Sequence, residues 1–173
     1  ECERLGLYVH IPFCKSICNF CPYCKVRYSE ELCERYIDSL IREIHLVGGQ
    51  YPGQKKATSL YFGGGTPSLL DSADAARLIA AAQPLSGAEI TLEANPDVVT
   101  PETLRGFRAA GVTRISFGVQ SADDAQLRRL GRTHTAAGAA QALAWAREAG
   151  FPEICGDIML ALPEYTNAEF DRT

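Results

Sequence analysis

At 173 residues the chain is long enough for one domain with its own core, and a 46% hydrophobic content excludes intrinsic disorder. A net charge of −4 leaves no basic footprint for nucleic acid, and no apolar run is long enough to span a bilayer. No charged leader with an apolar core opens the chain, and seven cysteines is an odd number for a disulfide framework. The reading is therefore cytoplasmic, where clustered thiols more often hold metal than pair.

Taken in chain order, the pattern alternates strand and helix. Residues 6–12 read as a first strand. Residues 32–47 follow as a helix with Leu32, Tyr36, Ile37, Leu40, Ile41, Ile44 and Val47 on one face, and Gly48-Gly49 as its stop. Residues 57–62 form a second strand ending in Gly63-Gly64-Gly65, then a helix over 73–82 and a third strand over 89–95. Thr100-Pro101-Glu102 supplies a cap, a first-turn proline and an early acid for a helix that Gly111 closes. A fourth strand over 112–120, one long helical region reaching Gly150 and a fifth strand over 154–162 complete the series. Residues 167–173 read as the opening turns of a further helix.

Strands alternating with helices predict an α/β fold with a parallel sheet, and five βα steps are too few to close an eight-stranded barrel. The expectation is a partial, truncated barrel. Strand parity places Val9, Ile11, Leu60, Phe62, Ile90, Leu92, Ile115, Phe117, Ile158 and Leu160 on an apolar face under the helices. The other phase carries Tyr8, His10, Thr91, Glu93, Ser116, Gln120, Asp157 and Met159, a polar inner face suited to holding a ligand.

The strongest chemical signal is HIPFCKSICNFCPYCKV over residues 10–26, with Cys14, Cys18, Cys21 and Cys24 on one loop. The spacing Cys14-x3-Cys18-x2-Cys21 suits three irons of a cubane cluster with the fourth left open. The alternative is zinc held by all four thiols, although structural zinc usually draws its ligands from two separated knuckles. Gly63-Gly64-Gly65-Thr66-Pro67 offers close backbone approach to a ligand, or simply a glycine-rich turn. Glu93 points inward at a strand end, where either a ligand or a partner such as Arg114 or Arg132 would satisfy it. Gln120 and Asp157 carry the same alternative as internal hydrogen-bonding groups. His10 reads as a satisfied rim histidine, His134 as a helix-capping neighbour, and Asp123-Asp124 with Arg128-Arg129 as a solvated helix surface. Cys2, Cys33 and Cys155 read as structural or incidental.

YVHIPFCKSICNFC, YFGGGTPS, LEANPD, ISFGVQS, LGRTH and GDIMLALP, in this order, resemble radical S-adenosylmethionine (SAM) proteins. Within them the chain resembles the oxygen-independent coproporphyrinogen III oxidase (HemN-like) family, and Val-Gln-Ser followed by Leu-Gly-Arg-Thr-His looks closer to its HemW-type branch. The resemblance implies a radical SAM core over residues 1–173, lacking the C-terminal part of a (β/α)6 barrel and any C-terminal domain. It implies a [4Fe-4S] cluster on Cys14, Cys18 and Cys21, with Phe20 against the adenine and Tyr8 supporting cluster and SAM. Gly64, Gly65 and Thr66 would meet the methionine end, and Glu93, Gln120, Arg132 and Asp157 would bind SAM, including a second SAM where a member uses two. These are ligand-binding roles, and no residue is assigned a catalytic one.

The implied chemistry is reductive cleavage of SAM to a 5′-deoxyadenosyl radical, with electrons from a donor such as flavodoxin or ferredoxin. In the decarboxylase branch that radical leads to oxidative decarboxylation of coproporphyrinogen III. That branch places a fourth cysteine two residues after the third, where this chain has Tyr23, with Cys24 one position late. Three readings follow: a porphyrinogen-converting radical enzyme, a haem chaperone that keeps cluster and SAM, and a two-SAM radical methyltransferase. The first two take a porphyrinogen or haem as the small-molecule partner.

Overall fold

In a computed structural model, residues 5–18, 20–50, 56–160 and 166–173 are described. Five strands, β1 (Gly6–Ile11), β4 (Ser59–Gly64), β5 (Glu89–Ala94), β6 (Arg114–Gln120) and β7 (Glu153–Ile158), form one parallel sheet in the order β1-β4-β5-β6-β7. A second, two-stranded parallel pair joins β2 (Phe13–Cys14) to β3 (Val26–Arg27). The helices between strands are α1 (Glu30–Gln50), α2 (Ser72–Ala82), α3 (Pro101–Ala109), α4 (Asp124–Arg129) and α5 (Ala136–Glu148), and α6 (Asn167–Arg172) follows β7.

The parity reading holds through the middle of the sheet. Val9, Ile11, Leu60, Phe62, Leu92, Ile115 and Phe117 are buried in one core with Ile37, Leu78, Leu104, Phe107, Ala142 and Ala146 from the helices. Burial of these apolar faces is the main stabilising contribution, at roughly 25 cal/mol per Å2 removed from water. Phe107 is fully buried, so Phe107→Ala is expected to cost about 3–5 kcal/mol. A urea titration reads this directly, and a loss under about 1 kcal/mol would contradict the packing described.

Four local readings are corrected. The helix expected over 32–47 runs from Glu30 to Gln50, through Gly48 and Gly49. Two glycines at a helix end cost about 1 kcal/mol each, too little by themselves to force a stop. Leu32 and Val47 lie exposed, so the buried stripe of α1 is narrower than its apolar residues suggest. The single long helical region is two helices, divided where Gly131 adopts φ +69° and Thr135 caps α5 through Gly138 N–H. Finally, Ile158 and Leu160 are exposed rather than packed under helices. Ile158 ends the edge strand β7, which stops there instead of running on through Leu160, and parity sets a face without supplying the helix that covers it. The end of the expected fifth strand, residues 161 and 162, lies outside the described residues, as does Cys2.

The remaining helix signals stand. Thr100 caps α3 by accepting from Thr103 N–H, with Pro101 in the first turn and Thr103 Oγ1 returning to accept from Thr100 N–H. Asp123 caps α4 by accepting from Ala125 and Gln126 N–H, and Asp124 accepts from Ala136 N–H at the start of α5. That pair is therefore structural capping rather than a merely solvated surface.

Candidate functional site

The cysteine loop is pinned at both ends. Val26 N–H donates to Pro12 O at 2.8 Å and Tyr28 N–H donates to Cys14 O at 2.9 Å, so residues 15–18 and 20–25 bulge from a closed base. Phe13 beneath that base packs edge-on against Tyr28 and Tyr36, with ring centroids 6.2 and 5.4 Å apart. Tyr36 donates to His10 O at 2.7 Å. His10 is a satisfied rim histidine as expected: Nδ1 pairs with the Tyr8 hydroxyl at 3.1 Å, and Nε2 with Cys24 O at 2.9 Å. Inside the loop, Cys21 N–H donates to Cys18 O at 3.4 Å, and Lys25 Nζ donates to Cys21 O.

The thiols differ in setting. Cys14 is buried at the end of β2, Cys18 and Cys21 are partly exposed, and Cys24 is exposed. Burial pushes the Cys14 thiol up, against a lowering contact from Thr66, whose Oγ1 donates to Cys14 Sγ at 3.7 Å. The neighbouring Cys21 and Cys18 add to the rise. Arg132 Nη1 donates to Cys18 Sγ at 3.6 Å.

The turn after β4 fits under this loop. Gly64 has φ +115°, a region L-side chains rarely adopt, and a Cβ there would stand 2.6 Å from His10 Cε1. At Gly65 a Cβ would stand 2.7 Å from both Pro12 C and Phe13 O, main-chain atoms of the segment entering the cysteine loop. Thr66, buried, accepts from Asn95 Nδ2 at 3.2 Å.

On the inner face, Glu93 accepts from the Tyr61 hydroxyl at 2.8 Å and from Gly64 N–H at 3.2 Å. Neither arginine expected to pair with it does so. Arg114 turns toward Glu89 and donates to Cys155 Sγ through Nε and Nη2, while Arg132 binds Asn95 and Gly118 O. Burial first, and then the Glu93 hydrogen bond, raises the Tyr61 phenol above its ordinary range, so it stays a donor. Tyr8 stacks beside Tyr61 at 6.1 Å. Asp157 accepts from the Ser116 hydroxyl on both oxygens, at 3.1 and 3.2 Å, which satisfies the hydrogen-bonding alternative.

Gln120 closes β6 in a strained backbone. Its φ is +67°, and Ser121 N–H donates to Val119 O at 2.8 Å across it, a γ-type turn that displaces the β6–β7 register between Gly118 and Gln120. The turn carrying Arg132 docks on the same strand end: Arg132 Nη2 donates to Gly118 O at 2.9 Å and His134 Nε2 to Val119 O at 3.0 Å.

His134 stands next to the α5 cap Thr135, as expected, and is buried support as well; its Nδ1 finds no partner among the described residues. Burial lowers its pKa, with Arg132 adding to the effect. Unfolded, the imidazole takes a proton near pH 6.5, while the folded protein does so only at lower pH. The stability His134 contributes is therefore fully present above about pH 6.5 and lost progressively below it. Unfolding free energy measured between pH 7.5 and 5.5 is expected to fall more steeply for the parent than for His134→Gln. Equal slopes would refute this.

Of the residues singled out from sequence, Cys14, Cys18, Thr66 and Arg132 meet in one hydrogen-bonded group, and Gly64 and Glu93 in a second with Tyr61. Gln120 lies beside Arg132 across Gly118. Asp157 is satisfied by Ser116 on the same inner face but belongs to neither group, and Phe20 is partly buried on the cysteine loop. Sequence reading missed Asn95 and Tyr61. Parity would have found both, since Asn95 lies two residues past Glu93, and Tyr61 shares a row with Tyr8, Thr91 and Arg114.

Residues 8–173 match the radical SAM superfamily. The chain belongs to that superfamily. Membership brings a [4Fe-4S] cluster and SAM with it, and the fold agrees with the expected α/β core. The radical SAM chain described here is 36% identical over 173 residues to the heme chaperone HemW of Haemophilus influenzae, covering 95% of this chain and 45% of that protein. It is 41% identical over 166 residues to the mitochondrial radical S-adenosyl methionine domain-containing protein 1 of Mus musculus, covering 92% and 37%. Among solved structures, coproporphyrinogen III oxidase (HemN) from Escherichia coli superposes with a TM-score of 0.87 at 32% identity, covering 97% of this chain and 40% of that one. The chain thus spans less than half the length of each of these relatives.

The residues present fit such a cluster. Three thiols share one short loop, one meets a hydroxyl and one a guanidinium, and Gly65 leaves no Cβ where the loop must lie close. Among the described residues no three Cys, His, Asp or Glu side chains converge on one point, as a single metal ion would need. A cubane takes one thiolate per iron and needs no such convergence. No described helix is long and apolar enough to cross a membrane.

Proposed function

We propose that Cys14, Cys18 and Cys21 hold the [4Fe-4S] cluster, that the C-terminal strand ends hold SAM, and that the protein carrying this chain binds haem as a HemW-type chaperone. The observation that supports the site is the run of contacts joining Cys14 and Cys18 to Thr66, Asn95 and Arg132, drawn from the turns after β4 and β5 and the turn between α4 and α5. When bound, the cluster and SAM together supply reductive cleavage of the SAM sulfonium.

The chain's own residues bind and orient. Gly64 and Gly65 let SAM's methionine end approach the backbone beside Thr66, and Glu93 is aimed by Tyr61 and Gly64 N–H. Gln120, Arg132 and Asp157 extend the same rim toward one SAM or two, while Phe20 and Tyr8 flank it. An external donor of the flavodoxin or ferredoxin kind supplies the electron in a reducing, cytoplasmic setting.

The haem reading rests on the relatives named as heme chaperones and on Tyr23, 64% exposed, where the decarboxylase branch has a fourth cysteine. Oxidative decarboxylation of coproporphyrinogen III is the second reading, favoured by the close superposition on HemN.

The test is anaerobic reconstitution of the full-length protein, followed by haem titration and by 5′-deoxyadenosine release with and without coproporphyrinogen III. Saturable haem binding with no porphyrinogen-stimulated release is expected. Stimulated release together with a vinyl product would instead establish the decarboxylase.

A further inference from the structure

Asn95 stands between two side chains that each touch a cysteine of the loop. Its Oδ1 accepts from Arg132 Nη2 at 2.8 Å, and its Nδ2 donates to Thr66 Oγ1 at 3.2 Å. Thr66 Oγ1 in turn donates to Cys14 Sγ at 3.7 Å, and the same guanidinium donates through Nη1 to Cys18 Sγ at 3.6 Å. A further bond, from Asn95 N–H to Ser68 Oγ at 3.2 Å, ties its backbone to the turn after β4, where Ser68 is buried.

The direction of this chain is fixed by its chemistry. A guanidinium only donates, so it must face the amide oxygen of Asn95. The amide NH2 must then face Thr66 and occupy a lone pair of its hydroxyl. The hydroxyl proton is left for the sulfur. Every donor therefore points from Arg132 toward Cys14, and hydrogen bonds aligned in this way polarise and strengthen one another. Both sulfurs receive donors that start from one positive charge.

We infer that Asn95 is a positioning residue that relays donors from Arg132 to the Cys14 sulfur and thereby raises the reduction potential of the cluster. Donors aimed at a ligand sulfur favour the more negative, reduced state, and hydrogen bonding to the sulfurs is one of the protein's levers on potential. The inference rests on the proposed reading of Cys14, Cys18 and Cys21 as cluster ligands. Asparagine is required over aspartate, because a carboxylate cannot donate to Thr66. The hydroxyl would then turn to the carboxylate, and Cys14 would lose its donor.

The experiment is a redox titration of the anaerobically reconstituted protein, followed by electron paramagnetic resonance, for the parent, Asn95→Asp, Asn95→Ala, Thr66→Val and the Asn95→Ala/Thr66→Val double variant. At a fixed ambient potential the reduced-to-oxidised ratio is expected to fall about tenfold in Asn95→Asp, which is about 59 mV for one electron. Asn95→Ala and Thr66→Val are expected to shift the same way, and the double variant no further than the larger single one, as one path requires. Electron–nuclear double resonance on the parent adds a readout that needs no variant. A proton coupled to the reduced cluster is expected to vanish in D2O, and the same signal to be missing in Thr66→Val.

Unchanged potentials with full iron content, additive shifts, or no exchangeable coupled proton would each overturn the inference while leaving the cluster reading intact. Loss of the cluster from the variants with unfolding unchanged would assign Asn95 to assembly and overturn its role in tuning. A parent protein that assembles no cluster would defeat the cysteine reading itself, and this inference with it.

Discussion

Gly65→Ala is expected to destabilise the chain by about 1–3 kcal/mol and to abolish most cluster incorporation, although position 65 carries no chemistry of its own. The argument is one of space. Gly65 N–H donates to Ile11 O at 2.8 Å, which holds the turn after β4 hard against the end of β1. A methyl group would stand 2.7 Å from Pro12 C and Phe13 O and 2.8 Å from Pro12 O. These are backbone atoms, and they cannot swing aside as a side chain would.

Relief therefore requires the β4 turn or the Pro12–Phe13 segment to move. Phe13 is fully buried between Tyr28 and Tyr36, so the energetic cost falls on the packed base of the loop. Either movement separates Thr66 from Cys14, whose contact at 3.7 Å is already long. Denaturant unfolding and iron per chain should both fall. An alanine variant with parental stability and full iron content would show that the close approach at Gly65 does not position the cysteine loop.

Much of the scaffold around this turn was legible in sequence because its signals are local. The alternation of Val9, Ile11, Leu60 and Phe62 with polar neighbours fixes which face packs, and Thr100-Pro101 announces a helix within three residues. Other features depend on distant partners. Nothing local distinguishes the glycines at 48 and 49, which α1 absorbs, from Gly131, which divides two helices. The difference is that the chain after Gly131 docks on β6 through Arg132 and His134.

The site shows the same split. The Cys14-x3-Cys18-x2-Cys21 spacing is a local signal, whereas the partners of those thiols come from residues 66, 95 and 132. Glu93 was read correctly as inward, yet its partners proved to be Tyr61 and a backbone N–H rather than an arginine. A carboxylate can be satisfied by a phenol and an amide, and composition favours no particular solution. Cys155, read as incidental, receives two guanidinium donors from Arg114 at 3.2 and 3.3 Å, a pairing across strands that no sequence spacing encodes.

Cys18→Ser separates the function of the loop from its folding. Cys18 lies partly exposed on the bulge, and the one hydrogen-bond partner of its thiol among the described residues is Arg132, itself anchored independently on Asn95 and Gly118 O. Replacing sulfur by oxygen there leaves the base of the loop untouched. Unfolding free energy is expected to stay within about 0.5 kcal/mol of the parent, as for surface substitutions generally.

The effect on the metal should be of a different order. Serine is a poor ligand for iron in a site built for soft thiolates, so iron is expected to drop from about four per chain to near zero. Cys24→Ser supplies the contrast. The Cys24 side chain is exposed, and its carbonyl, which a serine keeps, is the atom His10 binds. Iron should be retained. Had all four thiols formed one mononuclear site, the two variants would lose metal together, and acid-labile sulfide would be missing from the parent. Iron and sulfide assays on the three proteins therefore decide between a three-cysteine cubane and a four-cysteine zinc site. Because Cys18→Ser leaves the fold in place, any metal it loses is lost for want of the thiolate.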